Sequence, residues 1–206
     1  MVFKRLAILA CLATQATAVV KGAECVVATV QPLATEAGLE AFAGGGNAVD
    51  AAVAAALTLG VVDNHNSGLG GGCFILIRTA DGQLAAIDGR ETAPAAATRD
   101  MYVRDGQAVA ELSQLGPLAV GVPGALAAYE LAVEKYGKRE LPSLIAPAAQ
   151  IAAEGFAIDR VYAHKLRRVA PDLARFPGSR RALLKPGGGP YKEGEILRQP
   201  DLARTY

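Results

Sequence analysis

Residues 47–59, NAVDAAVAAALTL, restrict the fold more than any other stretch of the chain. Val49, Ala52, Val53, Ala56 and Leu57 recur at the spacing of one helical face. The opposite face, Ala51, Ala54 and Ala55, is also apolar, so this helix needs cover on both sides and belongs in the middle of a layered fold. Asn47 is placed to cap its first turn, with Asp50 three residues later in the manner of a capping box. A shorter helix precedes it: Pro32 suits a first helical position, Leu33, Ala37 and Ala41 repeat at fours, and Gly44-Gly45-Gly46 stops the run. The abundant alanine suits helices packed closely on their neighbours.

The helix leads into DNHNSGLGGGCF, residues 63–74, where Gly68, Gly70, Gly71 and Gly72 leave the backbone bare. A phosphate loop of the Walker kind needs Gly-Lys-Ser/Thr, and no lysine follows these glycines. A dinucleotide fingerprint follows a strand and opens a helix, whereas this loop follows a helix and opens a strand. Beyond it lie two apolar runs, Phe74–Arg78 and Leu84–Asp88, with Asp81-Gly82 between them, a strong hairpin signal. With Asp81 and Gly82 as a two-residue turn, Phe74 faces Gly89 and Cys73 faces Arg90. The guanidinium of Arg90 is then expected beside backbone without side chains. That setting suits a carboxylate, which arginine grips through two parallel hydrogen bonds. The same arginine can instead be structural, paired with Asp88 or Glu91.

Elsewhere, Cys25–Val30 is β-rich and is expected as a buried strand, and residues 91–116 read as loosened chain. Helices are expected from Gly124 to about Tyr136, over Pro142–Glu154, and from Asp159 to about Val169. Lys185–Tyr191 is expected as a loop, and Pro200–Arg204 as a first helical turn close to the end of the given sequence. The class is α+β, with no repeat and no linker dividing it.

Lys4 and Arg5, the apolar run Leu6–Ala13 and the small-x-small site Ala16-Thr17-Ala18 read as an export signal over residues 1–18, leaving 19–206 as the mature segment; the alternative is a buried first element. A periplasmic or secreted location follows from the signal and would permit Cys25 and Cys73 to pair, though free thiols serve equally. A net charge of +1 gives no broad attraction to nucleic acid. Arg160, Lys165, Arg167 and Arg168 are expected on a solvated helix face, and His65 as a cap or an anchor for the loop that follows it, the alternative being a supporting place behind the site. Ser67 and Ser113 have no histidine or acid at the spacing of a serine triad.

Gly45-Gly46-Asn47-Ala48-Val49-Asp50-Ala51-Ala52-Val53-Ala54, Ser67-Gly68-Leu69-Gly70-Gly71-Gly72 and Asp88-Gly89-Arg90-Glu91-Thr92-Ala93-Pro94, in that order, resemble the amino-terminal part of the γ-glutamyltransferase (glutathione hydrolase) family. Gly121-Val122-Pro123-Gly124 and Gln199-Pro200-Asp201-Leu202-Ala203 extend the likeness from about residue 25 to Tyr206. The resemblance implies an N-terminal-nucleophile hydrolase with an αββα sandwich, made as a precursor that cleaves itself into large and small subunits. It implies a hydrolase and acyltransferase of glutathione metabolism that needs no cofactor or metal. In such an enzyme the new amino-terminal threonine of the small subunit attacks γ-glutamyl amides such as glutathione, its own α-amine serving as base.

By the same resemblance Arg90 holds the donor's α-carboxylate, and no catalytic residue is expected within 1–206. The nucleophile, the remainder of the large subunit and the small subunit are expected beyond this sequence, and these residues alone are expected to be inactive. Asp63-Asn64-His65-Asn66 departs from the Glu-Pro-His-Ser more usual in the family. The alternatives are a related acylase acting on another amide, such as a cephalosporin side chain, and a non-catalytic binding module with the same fold.

Overall fold

The computed structural model describes residues 24–206. The segment read as an export signal lies outside the described residues. Two helices open the fold, α1 (Pro32–Ala43) and α2 (Ala48–Val62), followed by the hairpin β1 (Cys73–Arg78) and β2 (Leu84–Gly89). A small second hairpin, β3 (Val103–Arg104) and β4 (Gln107–Ala108), precedes two 3-10 turns, Ala110–Ser113 and Pro117–Ala119. Helices α3 (Ala125–Tyr136) and α4 (Leu141–Glu154) come next, then β5 (Phe156–Ala157) and α5 (Arg160–Ala174). The chain continues through α6 (Pro177–Leu183), β6 (Ile196–Leu197, paired with β5) and α7 (Pro200–Thr205).

As expected, α2 is central. It packs against α1, α3 and α4, and its Leu57, Thr58, Val61 and Val62 are almost wholly buried. The depth of its faces differs from the sequence reading. Ala51, Ala54 and Ala55 are all buried, whereas Ala52 of the larger-residue face is exposed. Small side chains set this arrangement, because they let helices approach closely. A Cβ on Gly38 of α1 would sit 3.1 Å from the carbonyl oxygen of Ala51.

The capping box at the start of α2 has a longer reach than a local cap. Asn47 Oδ1 accepts from the amides of Val49 and Asp50, and Asp50 Oδ2 accepts from Asn47 N at 2.7 Å. The same Asp50 carboxylate, wholly buried, accepts from the amides of Lys138 and Arg139 beyond the end of α3. Asn47 Nδ2 donates to Tyr136 O at 2.6 Å. Two residues therefore satisfy the start of one helix and tie it to the end of another.

The β1–β2 hairpin forms, with a different register. The observed pairs are Cys73 with Gly89 and Phe74 with Asp88, one residue away from the two-residue-turn expectation. Thr79 N donates to Gln83 O and Gly82 N to Thr79 O, with Gly82 at φ +88°, so the loop has three residues, Ala80–Gly82. This is the turn-plus-bulge connection in which glycine takes the left-handed position. The two-residue Asp-Gly turn occurs instead at Asp105-Gly106, both at positive φ, between β3 and β4, inside the stretch read as loosened chain.

Two further expectations need correction. Cys25–Val30 is not a strand: it pairs with nothing among the described residues. Helix α5 runs through Pro171 to Ala174 rather than stopping near Val169, with Leu173 packed on the core. Helix α6 has no counterpart in the sequence reading. The basic residues Arg160, Lys165, Arg167 and Arg168 are exposed, as expected.

The β1–β2 sheet has one buried and one open face. Ile77 and Ile87 point into the helical layer, while Phe74, Leu76 and Leu84 on the other side are 64%, 85% and 81% exposed. Helices thus cover one side of an apolar sheet. That is one α layer on one β layer of the expected αββα arrangement, and the open apolar face is where a second sheet packs in such a sandwich.

Candidate functional site

The site begins where α2 ends. Asp63 closes the helix, its amide donating to Leu59 O, and its own carbonyl accepts from the amides of Asn66 and Ser67. The Asp63 carboxylate accepts from Asn66 Nδ2 at 3.2 and 3.3 Å. His65 Nε2 lies 3.0 Å from Asp63 Oδ1, and neither ring nitrogen makes a hydrogen bond among the described residues. His65 also meets the ring of Tyr162 edge-on at 5.3 Å.

From Gly68 to Gly72 only Leu69 carries a side chain, packed against the core, and main chain lines the rest. The Gly71 carbonyl accepts from the amides of Gly124 and Ala125, both at 3.1 Å, which fixes the glycine run to the start of α3. The amides of Leu69, Gly70 and Gly72 have no acceptor among the described residues. The positive end of α3, which has no side-chain cap, faces the same region. Bare donors and a helix start together favour negative charge.

Arg90 stands directly across from this run. The hairpin register, continued one step beyond Cys73 and Gly89, sets Gly72 opposite Arg90. A Cβ on Gly72 would lie 2.7 Å from Gly89 O, 2.9 Å from Arg90 Cα and 2.7 Å from Glu91 Oε2. The register correction therefore brings Arg90 closer to the glycines than the sequence reading did. Replacing Gly72 by alanine is expected to force the end of β2 outward and to destabilise the fold by about 1–3 kcal/mol, as overpacking does. Denaturant unfolding of the variant checks this, and a change below about 0.5 kcal/mol would show that the strand end yields freely.

The two acids beside Arg90 behave differently. Asp88 Oδ1 accepts from the backbone amide of Arg90 at 3.0 Å, holding the turn of the main chain. Glu91 Oε2 lies 3.7 Å from Arg90 Nε, a loose and partly exposed pair. The Arg90 side chain remains 65% exposed, with its guanidinium carbon 5.8 Å from the centre of the Phe74 ring. It is neither sealed inside nor locked to a fixed acid. An exposed pair of this kind contributes about 0–1 kcal/mol, which leaves the guanidinium available to a stronger partner.

Sequence reasoning missed how tightly the second glycine pair closes over the site. A Cβ on Gly124 would lie 2.5 Å from Gly89 O, and one on Gly121 would lie 3.1 Å from Glu91 Cβ. Thr92 and Val122 exchange hydrogen bonds at 3.2 and 2.8 Å, bringing the two segments together. By pattern Gly121-Val122-Pro123-Gly124 reads only as a helix start; two glycines bracketing a proline are the available signal of close approach.

Nucleophiles are scarce around Arg90. Burial, with the charge of Glu91 second, pushes the Cys73 thiol up, and a hydrogen bond from Tyr129 opposes this only in part. Burial raises the Tyr129 phenol to about 12. The neutral thiol is a poor nucleophile. Cys25 is also a free thiol. His164 contacts Arg167 on the surface. A cleft of about 1040 Å³ lies elsewhere, between α5, α6 and residues 114–120, with Asn64, His65 and Tyr162 in its wall.

Comparison with known proteins supports the family resemblance read from the sequence. The sequence profile described as Gamma-glutamyltranspeptidase matches residues 34–206. A glutathione hydrolase proenzyme from Pseudomonas sp. (strain A14) is 41% identical over 180 residues, covering 87% of this chain and 31% of that protein. The chain spans about a third of the length of the curated relatives it matches. Among solved structures, the Helicobacter pylori gamma-glutamyltranspeptidase superposes with a TM-score of 0.88 at 38% identity, covering 91% of this chain and 54% of that one. A cephalosporin acylase from Bacillus halodurans superposes at 0.69 with 29% identity, over 85% of this chain and 34% of that one.

Proposed function

This chain belongs to the Gamma-glutamyltranspeptidase family, and from that premise we propose that residues 19–206 are the amino-terminal part of the large subunit of an exported glutathione hydrolase. Its substrates are γ-glutamyl amides such as glutathione. This amino-terminal part binds the donor and does not attack it. Arg90 takes the donor's α-carboxylate through two parallel hydrogen bonds, next to the uncovered main chain of residues 69–72. The observation that carries this reading is the packing of Arg90's main chain against Gly72, with the guanidinium still open to solvent.

The nucleophile comes from the portion of the relatives that this chain does not match. A threonine exposed by self-cleavage attacks the γ-carbonyl carbon while its hydroxyl proton passes to its own α-amine. The amine product leaves with that proton, and the acyl-enzyme is resolved by water or by an acceptor amine. Fixing the far end of the donor at Arg90 holds the scissile carbonyl at one distance from the attacking oxygen, which is where orientation lowers the barrier. Residues 1–18 direct the precursor out of the cytoplasm, to the periplasm or the medium.

A related amide specificity is the second reading, favoured by the likeness to a cephalosporin acylase. An assay of the purified full-length precursor after self-cleavage separates the two. A chromogenic γ-glutamyl anilide is expected to be hydrolysed at least about 10-fold more efficiently than the glutaryl anilide, which keeps the carboxylate but lacks the α-amino group whose charged hydrogen bonds a γ-glutamyl site would make. Equal efficiencies would favour the acylase reading.

A further inference from the structure

We infer that Tyr162, acting through Asn64, is a positioning residue for the glycine run that faces Arg90, an inference that rests on the proposed donor site. The Tyr162 hydroxyl donates to Asn64 Oδ1 at 2.8 Å. Asn64 Nδ2 donates to Gln199 Oε1 at 3.2 Å, and Gln199 Nε2 donates to Val61 O at 2.9 Å. Gln199 itself is held, because its amide donates to Ala152 O at the end of α4. The hydrogen bonds thus run from α5 through the turn after α2 to the start of α7 and back to the last turn of α2.

Tyr162 and Gln199 are each placed by something other than the chain of bonds. Tyr162 is 2% exposed, with its amide donating to Asp159 Oδ1 and its ring edge-on to Phe156. Gln199 is also buried, at 7% exposed. Asn64 alone belongs to a segment that helical bonding does not secure, since α2 ends at Val62. Immediately downstream, residues 68–72 offer four glycines and no side-chain hydrogen bonds with which to define their own path. Their course depends on the two ends and on Leu69, whose side chain packs against the core. The far end is fixed by α3 at Gly71, and the near end by Asn64 together with Asp63.

A second contact supports the same role. A Cβ on Gly60 would lie 3.3 Å from Gly68 Cα and 2.7 Å from the Tyr206 hydroxyl, which donates to Leu57 O. The first glycine of the run therefore rests directly on α2. A shift of residues 63–66 would lift it from that seat and move Gly72 relative to Arg90.

The test uses the full-length self-cleaved enzyme with Tyr162→Phe, which removes one oxygen and keeps the ring. The donor KM is expected to rise about 5- to 10-fold with kcat within about twofold of the parent. Amide hydrogen exchange in peptides covering residues 67–74 should accelerate by a similar factor. Asn64→Ala is expected to give the same rise, and the double variant no more than either alone, as for residues acting in one chain. Thr58→Val, which deletes a different buried hydrogen bond in α2, serves as the control and should leave KM unchanged. A Tyr162→Phe enzyme with parental KM and parental exchange would overturn the inference, as would additive effects or an equal KM rise in Thr58→Val. If Arg90→Lys raises KM while Tyr162→Phe does not, the positioning role fails and the donor site stands. If Arg90→Lys has no effect on KM, both fall together.

Discussion

Asp50→Ala is expected to lower the unfolding free energy by about 3–5 kcal/mol, a loss at the upper end for a single polar substitution. The carboxylate is fully buried and takes the amides of Asn47, Lys138 and Arg139. Deleting it strands those donors away from water, at about 1–3 kcal/mol for each group left unpaired. It also removes negative charge from the positive end of α2. Space for the group is built into the fold: a Cβ on Gly137 would sit 2.6 Å from Asp50 Oδ1, and one on Gly46 would sit 2.9 Å from Asp50 Cβ. Asp50→Asn keeps one acceptor oxygen but turns an amide towards backbone donors, so about half the loss is expected. Denaturant unfolding of the full-length protein measures both. A loss under about 1 kcal/mol for the alanine variant would mean that water or a rearranged loop replaces the carboxylate.

Arg90→Lys carries the largest expected effect on activity. On the proposed reading, the guanidinium makes two charge-assisted hydrogen bonds to the donor, and lysine cannot reproduce that fork. Losing about 1.5–3 kcal/mol of binding corresponds to a donor KM raised about 10- to 150-fold. Self-cleavage and stability should be unaffected, because the side chain is 65% exposed and its pairing with Glu91 is loose. Steady-state kinetics and the subunit pattern on a denaturing gel report the two halves of this expectation. A parental KM would remove Arg90 from the donor site.

Local chemistry is readable in the sequence, and long-range geometry is less so. Asn47 and Asp50 announce a helix start because the capping box is complete within four residues. Gly137 and Gly155 mark helix ends for similar reasons. That Asp50 also reaches Lys138 and Arg139 is not legible, since those amides lie on another element. The hairpin at Asp81-Gly82 is legible and its register is not. Thr79 and Gln83 both bond to the Asp81 carboxylate, stabilising a longer loop that the dipeptide alone does not specify. At Asp105-Gly106 the two-residue turn escapes notice because its flanks, Val103-Arg104 and Gln107-Ala108, lack an apolar alternation.

Cys25–Val30 illustrates the limit of strand propensity. Its composition fits a pleated surface, but a strand also needs a neighbour, and none pairs with it among the described residues. The neighbourhood of Arg90 is visible through its motif. The closure of Gly121 and Gly124 over Gly89 and Glu91 is not, because it depends on how α3 docks.

The most direct measurement pairs a change in the enzyme with a change in the donor. The parental and Arg90→Lys enzymes would each be assayed with a γ-glutamyl anilide and with the γ-aminobutyryl anilide, which keeps the amine and lacks the α-carboxylate. Removing the carboxylate should cost the parent about 10- to 150-fold in kcat/KM and the variant only a few-fold, because the partner group is already gone. An equal loss in both enzymes would contradict the assignment, since Arg90 would then be indifferent to the group it is proposed to hold.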